Sequence, residues 1–215
     1  MFQLPKSTEF NKRIPKQKFY DNLDIPSRVK QEFKDKIQVI YWRNKISADT
    51  INLATGEEVD EVEVFEIKLR HPDLSVNVLK QIDREIPYHI LFLLEYKDKY
   101  QAWIGYKEAT GGNAAFKVNQ YYHTDWQNAP DLTLHIEGLD MDAVYEHFVR
   151  QVAGEALQIN HGESLSESIQ HAQRREQLQK QIIKLETAIK REKQLNIQIQ
   201  KNAELKKLKK ELEAL

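Results

Sequence analysis

A chain of 215 residues and 25.4 kDa holds one domain of ordinary size plus an appendage, which excludes a large multidomain machine. Its 40% apolar residues, 30% charged residues and 20 aromatics suit a folded core, and the absence of cysteine excludes disulfides, thiolate nucleophiles, iron–sulfur clusters and all-thiolate zinc sites. The formal net charge of -1 conceals an asymmetry: residues 171–215 carry 12 Lys/Arg and 6 Asp/Glu for a net +6, and residues 1–170 carry -7.

Pro5 and Pro15 flank an N-terminal segment with Lys12, Arg13, Lys16 and Lys18, followed by Phe19 and Tyr20, and residues 1–20 read as an extended basic arm anchored by aromatics. Residues 21–160 read as the core domain. Pro26 and Ser27 open a helix over about residues 27–36, and branched and aromatic residues from Gln38 to about Ser47 predict a strand. DTINLATGEEVDE supplies a short extended piece with a turn at Thr55-Gly56, and Val62 to Leu69 predicts a second strand with Phe65 and Ile67 inward. Leu74, Val78, Leu79, Ile82 and Ile86 share one helix face that Pro87 terminates. His89 to Glu95 and Tyr100 to Tyr106 predict a hairpin, Gly111-Gly112 a break, and Phe116–Trp126 and Leu132–Ile136 further extended runs. Asp140 caps a helix through Val152. The order predicts an α+β fold, a mixed β-sheet with packed helices.

Residues 161–170 read as a polar linker and 171–215 as a long C-terminal coiled-coil-type helix. Leu178, Ile182, Leu185 and Ile189 recur at four, three and four residues, and Leu205, Leu208, Leu212 and Leu215 at three, four and three. Leu195 and Ile199 fall out of that register, so the apolar stripe shifts near Glu192–Asn196.

The phrases LPKSTEFNKRIPKQKFY, ISADTINL, VEVFEIKL, IDREIPYHILFLLEY and REKQLN together resemble the bacterial domain of unknown function family 4391. Lys6, Asn11, Lys12, Ile14, Pro15 and Lys16 match it at the start, and Lys193, Gln194 and Asn196 in the tail. The resemblance implies a small mixed domain followed by a coiled segment, in gene neighbourhoods that hold DNA methyltransferases and helicases, as in restriction-like phage defence. It implies an accessory subunit and transfers no catalytic residues.

Glu66-Ile67-Lys68 has the spacing of the ExK end of a metal-dependent nuclease site, with Asp49 or Asp60 as the upstream carboxylate, and also that of ordinary charges along a strand. None of the seven histidines lies in a recognisable metal motif, and TGGNAA lacks the end of a phosphate-binding loop. No metal or cofactor is expected. Tyr121, Tyr122 and the arm residues Lys12, Arg13, Lys16 and Lys18 are candidates for stacking on nucleic acid and neutralising phosphate. No 18-residue apolar run and no signal-peptide core occurs, so a soluble cytoplasmic protein without membrane contact is expected.

These features predict an accessory protein-binding or scaffold subunit of a bacterial DNA-modification or anti-phage complex, without catalysis of its own. Its partner would be a larger methyltransferase or helicase subunit. The two leucine/isoleucine ridges would form the contact, with Lys193, Gln194 and Asn196 as specificity groups. A diverged nuclease on Glu66 and Lys68, a direct nucleic-acid-binding module and self-association through the tail are the alternatives.

Overall fold

The computed structural model describes residues 4–21, 23–109, 116–157 and 163–214, in two compact units, Met1–Gly154 and Glu155–Leu215. The first is built on a mixed sheet. Its strands are β1 (Glu9–Ile14), β2 (Ile37–Ser47), β3 (Glu61–Leu69), β4 (His89–Tyr96), β5 (Lys99–Ala109) and β6 (Phe116–His123), in that spatial order, and a short β7 (Gln127–Asn128) pairs with β5. Only the β3–β4 pair is parallel, because the helix following β3 carries the chain back across the sheet. The other pairs are antiparallel.

The N-terminal arm is the edge strand of this sheet. Pro15 has no N–H for the ladder, which fits the end of β1 at Ile14. The turn from β4 to β5 is Lys97-Asp98, both with positive φ, the backbone of a two-residue hairpin whose twist matches its strands. Helices α1 (Ser27–Asp35) and α3 (Val76–Glu85) lie on one face: Phe33, Val78, Leu79 and Ile82 share a buried cluster with Ile40, Phe65, Ile67, Phe92 and Leu94. Side chains alternate along β3 and β4, so Val64, Leu91 and Leu93, also buried, point to the other face. There α4 (Met141–Ala153), capped by the Asp140 carboxylate at Ala143 N, covers the sheet. Phe65 and Ile67 are inward as expected, and β3 is buried on both faces.

Residues 48–51 depart from the expected extended piece and form one helical turn, α2 (Ala48–Ile51). Ser47 and Thr50 close a reciprocal capping box, which offers the backbone a local alternative to pairing. The following loop is pinned by Asp142, whose carboxylate accepts from the N–H groups of Glu57, Glu58 and Val59 at 2.7, 3.2 and 2.8 Å. A Cβ at Gly56 would lie 2.3 Å from Asp142 Oδ1. We expect Asp142→Ala to cost about 1.5–3 kcal/mol in urea unfolding, because it removes hydrogen bonds to a charged acceptor and leaves the partly buried Val59 N–H without that acceptor; an unchanged midpoint would show that the loop is held by other means.

The second unit contains two helices that pack on each other, α5 (Leu165–Arg191) and α6 (Leu195–Glu213). The expected single helix is interrupted at Glu192, whose backbone is extended, at the place where the apolar stripe loses register. Glu192 stabilises the break: its carboxylate accepts from Lys193 N and Gln194 N and pairs with Lys201 at 2.8 Å. Ion pairs Arg174–Glu211 and Glu186–Lys209 tie the helices together. α5 begins inside the segment read as a linker, because Ser164 and Glu167 form a capping box. Gly111, Gly112 and Leu215 lie outside the described residues. Among those described, no helix is long and apolar enough to cross a membrane.

Candidate nucleic-acid interface

The edge strand creates a cavity of about 480 Å³ on the α1/α3 side of the sheet, between β1 and the connection from α3 to β4. Trp42 and Phe65, paired across β2 and β3, form its floor; Phe10, Ile86, Pro87 and Tyr88 form its walls. Phe10 rests on Trp42 with ring centroids 4.3 Å apart, and Trp42 on Phe65 at 5.9 Å, separations at which tilted rings attract. Lys12, Arg13 and Lys18 stand at the rim, all exposed, with Lys12 Nζ 4.1 Å from the Phe10 ring centre. The volume falls within the range of small-molecule sites.

Two carboxyls line this space: half-buried Glu85, which accepts from Gln81 Nε2 at 3.0 Å and lies 3.4 Å from Arg84 Nε, and Glu63. Glu63 is buried; its Oε2 accepts from Trp42 Nε1 at 2.6 Å, and no hydrogen-bond donor faces its Oε1. Burial, then the neighbouring Glu61 carboxylate, push its pKa up to about 8, so at neutral pH the group is largely uncharged. Glu61 in turn pairs with Lys45 at 2.7 Å. The pocket therefore joins an aromatic interior with a largely uncharged Glu63 to a rim on which three cations outnumber the single acid Glu85, which complements a planar heterocycle carrying a negative tail.

Of the four basic arm residues, Lys16 is committed elsewhere. Its ammonium donates to the carbonyls of Lys34 and Ile37 at 3.1 and 2.7 Å, clamping the arm to the end of α1, and burial lowers its pKa. Tyr121 and Tyr122 do not offer the open ring faces that stacking needs. Tyr122 is buried, and Tyr121 packs on the core with its hydroxyl donating to the Asp83 carboxylate.

Glu66 and Lys68 share the opposite face of β3. A bulge in β2 turns Arg43 onto Glu66, which accepts from its Nε and Nη2 at 2.8 and 3.1 Å, while Lys68 Nζ lies 3.6 Å from Glu66 and 3.3 Å from Glu95. Two carboxylates thus meet two cations. Asp60 immediately precedes β3, about 20 Å from Glu66 at the usual strand rise, and Asp49 lies in the helical turn that follows Ser47, the partner of Glu61, so both belong to the far end of the strand.

In the tail, Leu178 and Ile182 are buried, and Leu185, Ile189, Leu205, Leu208 and Leu212 are half-buried. Lys193 and Gln194 occupy the exposed break, and the Asn196 side chain accepts from Ile197 N. Among the described tail residues, Ile183, Leu195 and Ile199 are the large apolar residues left outward, each more than 60% exposed.

Several polar groups gather at positions that no motif or periodicity marks. Buried Lys107 pairs with buried Asp83 at 2.9 Å and donates to Tyr88 O at 2.5 Å. Its backbone N–H donates to the Tyr145 hydroxyl, which donates to Gly105 O and so occupies backbone groups at the bulge between β5 and β6. His89 packs on the Tyr145 ring at 4.2 Å. Burial, then the Lys107 charge, hold its pKa down to about 3, so it is neutral at ordinary pH.

No curated protein and no solved structure matches this chain. The model of one family, the domain of unknown function DUF4391, matches residues 2–212. With nearly its whole length covered, the chain belongs to the DUF4391 family.

Proposed function

We propose that this chain is a binding subunit that holds single-stranded nucleic acid along its N-terminal edge, with a base in the Trp42 pocket and phosphates on Lys12, Arg13 and Lys18. The observation that carries the reading is the pocket's pairing of an aromatic interior with a predominantly cationic rim. Base stacking is sequence-tolerant because every base has a π-face, and the phosphates add a salt-dependent attraction. The arm's cations and the aromatic rings of β2 and β3 line the same cavity. The accessory role in a bacterial DNA-modification or anti-phage assembly remains part of the proposal. The tail would dock the larger subunit through the outward Ile183, Leu195 and Ile199, because its expected ridges are half-buried or buried.

The test is fluorescence anisotropy with a labelled single-stranded oligonucleotide of about 12 nucleotides, within the usual site sizes. We expect salt-dependent binding that quenches tryptophan emission. In a Lys12→Ala/Arg13→Ala/Lys18→Ala variant, affinity should fall and the slope of log K against log salt should flatten by about 2, the value for three phosphate contacts on a single strand. Failure of the native protein to bind at low salt, or full affinity in the triple variant, would overturn the reading.

A further inference from the structure

Leu132, Leu134 and Ile136 alternate with Thr133, His135 and Glu137 in an extended segment ahead of α4. Leu132 and Leu134 are buried, which turns His135 and Glu137 outward on one row. His147, on α4, meets them. The three atoms His135 Nε2, Glu137 Oε2 and His147 Nε2 lie 3.6, 3.4 and 3.3 Å apart: His135 to Glu137, His147 to Glu137, and His147 to His135 respectively.

Those separations have a chemical meaning. A tetrahedral zinc ion with bonds of about 2.0–2.1 Å holds its ligand atoms about 3.3–3.4 Å from one another. The triangle matches one face of such a tetrahedron to within a few tenths of an ångström. The donor set, two neutral imidazoles and a carboxylate, is one that leaves a fourth position for water. Glu137 is 68% exposed at its side chain, so solvent reaches that position.

The backbone is braced around the triangle. Gln151, one turn after His147 on α4, accepts from His135 N at 3.0 Å and donates to His135 O at 2.8 Å. This pair fixes the extended segment against the helix and holds the two histidines in register. A hydrogen-bonded trio with no ion is the competing account of the same atoms, and the two differ in what they do with metal.

We propose that His135, Glu137 and His147 form a binding site for a divalent transition-metal ion, with Zn2+ best fitted, an open coordination position toward solvent, and Gln151 as the residue that positions His135. Other ions of similar size compete for imidazole and carboxylate donors, so the preference for zinc rests on the tetrahedral geometry. The site is independent of the Trp42 pocket and stands whether or not nucleic acid binds there.

The experiment is titration of Zn2+ alone into the full-length, chelator-treated protein, followed by calorimetry and thermal unfolding. Saturation at one ion per chain with a raised unfolding temperature is the expected result. The visible absorption of the Co2+-loaded protein should have the intensity of four- or five-coordinate cobalt rather than of the hydrated ion. His135→Ala, Glu137→Gln and His147→Ala should each lose that spectrum and weaken zinc by at least about tenfold, and Gln151→Ala by about tenfold, the scale of lost outer-shell support. His123→Ala should bind normally, and far-ultraviolet circular dichroism checks that all variants fold. Absence of saturable zinc binding, or unaltered binding and spectrum in His147→Ala, would sink the proposal.

Discussion

Asp83→Ala is expected to lower the unfolding free energy by about 3–5 kcal/mol, the scale for breaking a buried ion pair from one side. The cause is the charge left behind. Lys107 is almost wholly buried, and Asp83 is the carboxylate that pairs with it at 2.9 Å. Removing that partner takes the paired carboxylate from a buried ammonium, while the Tyr88 carbonyl stays as a neutral acceptor. The Tyr121 hydroxyl loses its acceptor in the same step. Asp83→Leu combined with Lys107→Met should recover most of the loss, since two well-packed apolar side chains replace the pair without leaving a charge. Urea unfolding of the single and double variants measures both statements. If the double variant were no more stable than Asp83→Ala, the loss would come from packing or from Tyr121 rather than from the stranded charge.

That ion pair also illustrates what the sequence conceals. Periodicity placed α1, α3 and α4 and the strands β2 to β5 because apolar side chains recur at the spacing of a helix face or a strand row. Asp83 and Lys107, 24 positions apart, carry no such signature; only the packing of α3 on β5 brings them together. The Trp42 pocket was half legible. Lys12, Arg13 and Lys18 stood out as a basic arm, but Glu63 and Trp42 read as ordinary strand residues until β1 paired beside them. His135, Glu137 and His147 were hidden for a similar reason. HIE followed ten residues later by histidine matches no compact metal motif, and the ligand atoms converge only because a helix turns back on an extended segment. The break in the tail was legible as a shift of register at Glu192–Asn196. The change of direction there was not, because the glutamate that stabilises it is one polar residue among many.

Between pH 7.5 and 4.5, native stability should contain two opposing contributions that variants separate. His89 is held at about 3, below its unfolded value of about 6.5, so the unfolded chain binds more protons between those limits. Its contribution is therefore full above pH 6.5 and is lost as pH falls toward 3. At about 1.4 kcal/mol for each pH step fully inside the window, lowering pH from 7.5 to 4.5 removes about 2–3 kcal/mol. Glu63 works in the other direction. Its folded pKa of about 8 lies above the ordinary carboxylate value, so the folded chain binds the extra proton, and stability present at low pH is lost as pH rises through about 8. The native profile should consequently be shallow. Glu63→Gln should expose the acid-side loss, with stability falling more steeply below pH 6.5 than in the native protein. His89→Gln should reverse the trend, being relatively more stable at pH 4.5 than at 7.5, with a constant offset for the lost contact on Tyr145. The other carboxylates titrate in native and variant alike, so the difference between profiles isolates each group. Urea midpoints at pH 4.5, 6.0 and 7.5 decide it: parallel profiles for the native protein and His89→Gln would mean that the buried imidazole does not titrate against folding.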